Sequence, residues 1–203
     1  MLDFLSKGGM LVIPIIFCSV IVLAIFFERI IRYAVNRNRG KNIEHQVTQL
    51  MKLGDTDQAL AVSKKSRSPM GRVLEKAIDA RDMESDVLES VIANATENEV
   101  RGLSSYLQAL ATIGNIAPLL GLLGTIIGMI KAFMVIQQMG GKVNAAVLAG
   151  GIWEAMLTTA LGLAVALPTM VAHSYLIAKV DMYEARLQNG SILFLKAISK
   201  KVA

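Results

Sequence analysis

The chain has 203 residues, 54% hydrophobic and 5% aromatic, with a mean hydropathy of +0.51 and a net charge of +5. Plentiful glycine (16) and methionine (11) fit a helical membrane protein and exclude a soluble domain built on a large aromatic core. The single cysteine, Cys18, excludes an intrachain disulfide and any zinc-type cysteine spacing, and the basic excess reads as a positive-inside bias rather than a nucleic-acid surface.

Residues 8–27 carry no charge and predict a first membrane helix. It is too long for a signal-peptide core, and no small-residue cleavage site follows it. Glu28-Arg29 and then Arg32, Arg37, Arg39 and Lys41 close it, which places its C-terminal end in the cytoplasm. The segment before it is short and predicts no long periplasmic arm. Residues 28–105 hold 13 of the Lys and Arg residues and the tail from Lys179 holds five, against Lys7, Lys131 and Lys142 elsewhere. The middle segment and the tail are therefore expected in the cytoplasm, with the N-terminus and the turn near residue 140 outside.

The middle segment reads as a helical collar. Ile43, Val47, Leu50 and Met51 follow helical spacing up to a stop at Gly54-Asp55. A short helix follows over Thr56–Lys65, with Ala59, Leu60 and Val62. Ser66–Pro69 predicts a break, with Ser68 as cap and Pro69 at the first helical position. Met70, Val73, Leu74, Ala77 and Ile78 repeat at three and four. From Met83 the apolar pattern passes through Val87, Val91, Ala95, Val100, Leu103 and Leu107 without a Gly-Pro stop. One helix is expected to run unbroken into the second span. With 13 basic against 12 acidic residues, this segment lacks the lopsided charge of a nucleic-acid surface. His45 is expected to be exposed here.

Residues 102–130 are free of charge. At 1.5 Å per residue such a helix is roughly 43 Å long, more than a bilayer needs. Gly121, Gly124 and Gly128 form a small-residue seam that allows close helix approach. Pro118 removes one backbone donor, and Asn115 and Thr125 add polarity. The Thr125 hydroxyl either bonds back to a carbonyl one turn earlier or lines a path. Gly8-Gly9 and Gly140-Gly141 read as turns at the membrane surface.

Residues 143–178 contain one charged side chain, Glu154. A carboxylate facing lipid costs several kcal/mol, so it is expected to face a bundle interior, a partner or a water-filled path. In projection, Gly150, Thr158, Leu161 and Val165 lie within about 40° of it. Gly151, Ala155, Thr159, Gly162 and Ala166 form a neighbouring small stripe. Trp153, Met156, Leu157, Leu163 and Leu167 fill the bulky arc, and Pro168 and His173 lie further along. A turn centred on residue 140 puts Thr125 and Glu154 at similar depth. The predicted organisation is a first span over 8–33, a collar over 36–105, a second span over 106–133, an outer turn over 134–144, a third span over 145–178 and a tail over 179–203.

Three stretches together carry a family resemblance. They are Ala111–Pro118 with Gly121–Thr125 and Gly128; Gly151-Ile152, Glu154-Ala155 and Thr159–Leu163; and Ala166–Pro168. On these residues, with Glu28-Arg29 and Gly54-Asp55, the chain resembles the MotA/TolQ/ExbB proton-channel family on its ExbB-like branch. The resemblance implies an all-α homopentamer in the bacterial inner membrane, its second and third helices extended into a cytoplasmic domain and lining a central pore. It implies a single-span partner of the ExbD/TolR type in that pore and a periplasm-spanning protein of the TonB/TolA type beyond it. It assigns the pathway to Thr125, Glu154 and Thr159, with Thr158 a second candidate hydroxyl. It leaves helix packing to Gly121, Gly124, Gly128, Gly151, Gly162, Pro118 and Pro168. No catalytic residue, metal site, cofactor or nucleic-acid partner is expected, and membrane lipid is. Trp153, the doubled threonine and His173-Ser174 depart from the family pattern.

The function expected is a motor subunit that energises a periplasmic or outer-membrane process such as TonB-dependent uptake. A TolQ-like role in outer-membrane integrity or gliding, and a non-conducting scaffold, are the alternatives. A small-molecule carrier is disfavoured by three spans without an internal repeat.

Overall fold

The computed structural model describes residues 10–39, 42–138 and 145–202. Seven helices run through them: α1 (Val12–Arg39), α2 (Ile43–Leu53), α3 (Thr56–Ser66), α4 (Pro69–Asp79), α5 (Ser85–Ser104), α6 (Leu107–Gln138) and α7 (Ala145–Val202). Segments within Val12–Asn36, Ser85–Gln138 and Leu148–Ile198 are long and apolar enough to cross a membrane. The chain is an all-helical membrane protein. The expected turns at Gly8-Gly9 and Gly140-Gly141, with Lys7, Lys41 and Lys142, lie outside the described residues.

The chain divides into two compact units. One draws on Met1–Phe27 and Tyr106–Tyr175, the other on Glu28–Ser105 and Leu176–Ala203. In the second, local signals act as the sequence predicts. Gly54 takes φ 85° and its N–H returns to the carbonyls of Leu50 and Met51, ending α2. The Asp55 carboxylate accepts from the Gln58 N–H and starts α3. The Ser68 hydroxyl accepts from the Gly71 N–H and starts α4, with Pro69 at the first position. Val47, Val73, Leu74, Ala77 and Ile78 are fully buried, and Leu187 and Phe194 of α7 close the core over them. Arg72 of α4 grips Glu99 of α5 through two parallel hydrogen bonds, one of 2.6 Å, and this carboxylate raises the Arg72 pKa. His45 is exposed.

Two expectations about α5 are corrected. Its deepest residues are Leu88, Ile92, Thr96 and Leu103, whereas Met83 and Val87 are exposed and Val91, Ala95 and Val100 half-buried. The buried stripe is offset by one residue over Leu88, Ile92 and Thr96, while Leu103 is buried as the pattern predicts. Nor does α5 run unbroken into α6. Ser105 is extended (φ −55°, ψ 144°) and Tyr106 left-handed (φ 65°). The carbonyls freed by this break need donors, and long-range partners supply them. The Arg29 guanidinium donates to Gly102 and Leu103 at 3.2 and 3.4 Å, and the Tyr33 hydroxyl to Leu103 at 2.8 Å. Ser105 and Ser104 hydroxyls bond Gly102 and Arg101. Arg29 is fully buried with its Nε 2.8 Å from Glu28, and Tyr183 of α7 donates to the Tyr33 carbonyl at 2.8 Å.

Candidate ion pathway along the α6–α7 pair

In the first unit, α6 and α7 lie antiparallel, and the glycines mark where they touch. A Cβ on Gly121 would sit 2.9 Å from Thr159 Cα, one on Gly128 2.9 Å from Ala155 Cβ, and one on Gly151 2.7 Å from Ala132 Cβ. One on Gly162 would sit 2.6 Å from the Ala117 carbonyl oxygen. Such contact is possible only without side chains, which is how small residues hold membrane helices together. Both Pro118 and Pro168 lie inside continuous helix. The small stripe on α7 is thus the face turned to α6, and the packing glycines of both helices meet in one seam.

Two of the three threonines are satisfied within their own helix. Thr125 donates back to the Leu122 carbonyl at 2.7 Å and is half-buried. Thr158 is 3% exposed, donates to the Ala155 carbonyl at 2.7 Å and fills the space over Gly124. Within the chain it is a packing residue. Thr159 bonds across the pair, donating to the Gly121 carbonyl at 2.9 Å.

Glu154 flanks the seam, half-buried, and among the described residues its carboxylate has no hydrogen-bond or ion-pair partner in the chain. On the same side Gly150 has nothing within 4 Å of a built Cβ. Trp153, Met156 and Leu167 are exposed as the bulky arc predicts, but Leu157 is buried at 7% and belongs to the interior. His173 is half-buried.

The contacts also correct the expected depths. Gly128 meets Ala155 and Gly124 meets Thr158, so Thr125 is level with Thr158 and Glu154 with Met129. Four residues of helix separate those levels, about 6 Å at 1.5 Å each. The polar groups form a staircase, not a layer. The projection placed the small stripe correctly but misplaced Leu157 and Thr158, and the assumed turn centre set the levels wrong. Beyond the pathway, Arg29, which sequence reading used for orientation and for the resemblance, and Tyr33, which it did not single out, cap the end of α5. Their spacing of four at the end of an apolar run was the available signal.

A three-span membrane protein with a glycine-built helix pair, and beside it a carboxylate without a partner among the described residues, has the make-up of a channel-forming subunit. The chain belongs to the MotA/TolQ/ExbB proton channel family, whose model matches residues 65–189, on the ExbB-like branch. It is 28% identical over 212 residues to the biopolymer transport protein ExbB of Pseudomonas putida, covering 97% of this chain and 64% of that protein. The ExbB of Salmonella typhimurium is 29% identical over 184 residues, 86% of this chain and 75% of its own length. A putative ExbB homolog of Methanothermobacter thermautotrophicus is 32% identical over 151 residues, 72% of this chain and 52% of that protein.

Proposed function

We propose that this chain is the pore-forming subunit of a motive-force-driven motor that energises biopolymer transport, as the names of its relatives suggest for them. Five copies surround a pore lined by α6 and α7 in the inner membrane. A single-span protein of the ExbD/TolR type occupies the pore, and a TonB/TolA-type protein carries the work outward. The N-terminus and the segment near residue 140 are periplasmic, and residues 36–105 and 179–203 cytoplasmic. Thr125, Glu154 and Thr159 line the path, and Thr158 serves packing.

One observation carries this reading. Among the described residues the Glu154 carboxylate has no partner, and it stands beside a seam that already satisfies helix contact. An ionised group in such a span costs several kcal/mol unless water or another chain meets it. The available energy suits the task, since one charge crossing 100 mV releases about 2.3 kcal/mol.

The test compares Glu154→Gln with Glu154→Ala. Gln should abolish motive-force-dependent uptake while the oligomer still forms. Wild-type uptake in Glu154→Gln beside an intact oligomer would remove the acid from the mechanism and favour the scaffold alternative. Cysteines at Lys64 and Lys142 report sidedness, with only Lys142 expected to react with impermeant reagents from outside. The chain without its partner should leak few protons in liposomes.

A further inference from the structure

Within the second unit, α5 and the C-terminal part of α7 border an open groove of about 530 Å³. Its walls carry Glu89, Glu97 and Glu184, and none of the described lining residues is Lys or Arg. Ile92, Val100 and Leu195 give it an apolar floor. Glu97 is engaged by Arg101 at 2.7 Å and Glu184 by the Gln188 amide at 3.1 Å, both within one helical turn. Such exposed local pairs contribute little and open readily for a better partner.

A second observation points to an occupant. Ser191, only 6% exposed, lines the same groove, and among the described residues its buried hydroxyl has no hydrogen-bond partner. A buried hydroxyl left unpaired is costly, and native structures normally satisfy it. Ser191 lines the groove wall, so a group seated there is close enough to supply the missing bond.

We infer that this groove docks a cationic amphipathic polypeptide segment of a partner protein. Lys or Arg side chains meet the three glutamates, apolar residues cover Ile92 and Leu195, and a polar group reaches Ser191. The inference rests on the proposed cytoplasmic placement of this unit. Membrane-spanning partners concentrate Lys and Arg next to the cytoplasmic end of their span, so a single-span partner presents this chemistry on this side. A second copy of the chain is the competing occupant, and the test separates the two.

The probe is a fluorescent twelve-residue peptide of alternating Lys-Leu-Leu-Lys blocks, titrated against the full chain in nanodiscs of uncharged lipid. Its Glu-for-Lys counterpart and empty nanodiscs are the controls. The Lys peptide should bind the chain at least tenfold more tightly than either control permits. Glu89→Gln with Glu97→Gln and Glu184→Gln should weaken it tenfold or more. Ser191→Ala should weaken it severalfold while leaving the melting temperature unchanged or raised, because the hydroxyl is unpaired in the free chain. Equal binding to wild type and the triple variant, or to both peptides, would overturn the proposal. So would peptide-free oligomers in which a cysteine at the exposed Ala93, with Cys18→Ser, is shielded from maleimide, since that shows a second copy filling the groove. Sidedness at Lys64 is read separately. Labelling there from outside would fail the topology without altering the peptide result, and a conducting role lost at Glu154 leaves the groove untouched.

Discussion

Adding one methyl to the α6–α7 seam tests its architecture by the sign of the effect. In Gly121→Ala the new Cβ would lie 2.9 Å from Thr159 Cα and 3.0 Å from the Thr158 carbonyl oxygen. Both are backbone atoms, so no side chain can rotate away and the helices must separate. Overpacking of this kind costs about 1–3 kcal/mol. Separation also strains the Thr159–Gly121 hydrogen bond, and interhelical bonds in membranes average about 0.6 kcal/mol. Alanine in place of helical glycine returns about 0.5–1 kcal/mol. The net is a loss of about 0.6–3 kcal/mol. Gly102→Ala is the control, because nothing lies within 4 Å of a Cβ there and only the helix-propensity gain remains. Unfolding by SDS titration, followed by ellipticity in mild detergent, should show the two variants moving in opposite directions. A Gly121→Ala midpoint at or above wild type would mean that α6 and α7 are not held in backbone contact at this level.

Gly124→Leu, aimed into Thr158, should cost the detergent-extracted protein its oligomer, read by mass on size exclusion; an unchanged mass would show slack in the seam. Thr159→Ser should retain uptake and Thr159→Val should lose it, since valine leaves the Gly121 carbonyl without its cross-helix donor; equal uptake would remove the hydroxyl from the path. Arg29→Ala strips charged donors from the end of α5, each worth about 1.5–3 kcal/mol, and should speed hydrogen exchange there, whereas unchanged protection would show the cap to be redundant. Arg72→Ala, although it breaks a two-pronged pair, should cost no more than about 1 kcal/mol because the arginine side chain is half exposed.

The sequence was most readable where structure is decided locally. Gly54, Asp55 and Ser68-Pro69 set helix ends by backbone geometry and short-range hydrogen bonds, and these boundaries could be read from neighbouring residues alone. The break at Ser105–Tyr106 has no such mark. It contains neither Gly nor Pro, and the apolar repeat passes straight through it. Its carbonyls are satisfied by Arg29 and Tyr33, some 70 residues earlier, so tertiary partners decide it. In α5 adjacent positions such as Val91 and Ile92 are both apolar, and periodicity does not say which is deeper. For α6 and α7 the faces were legible because small residues have one main use in a membrane helix. Their relative level was not, because it depends on a connection whose geometry no periodic pattern encodes.

That level bears on how Glu154 can act. From Ala117 to Ala132 the contacts across the seam are made by Gly, Ala and the two threonines Thr158 and Thr159, too close to admit a longer side chain. The acid must therefore stand outside the seam, and it does so on the side where Gly150 leaves open space. Helix association within the chain and placement of the carboxylate are thus assigned to adjacent stripes of α7, and a change in one need not disturb the other. This is why Glu154→Gln is the informative substitution: the intrachain packing gives no reason for it to unfold α6 from α7. Any assembly defect in that variant would have to arise from a contact made by another chain or by water at the carboxylate. Separating the two outcomes takes only the SDS midpoint of the chain and the mass of its oligomer, measured on one preparation. A lowered midpoint in Glu154→Gln would show that the carboxylate supports the α6–α7 pair itself, and the division between the two stripes would be wrong.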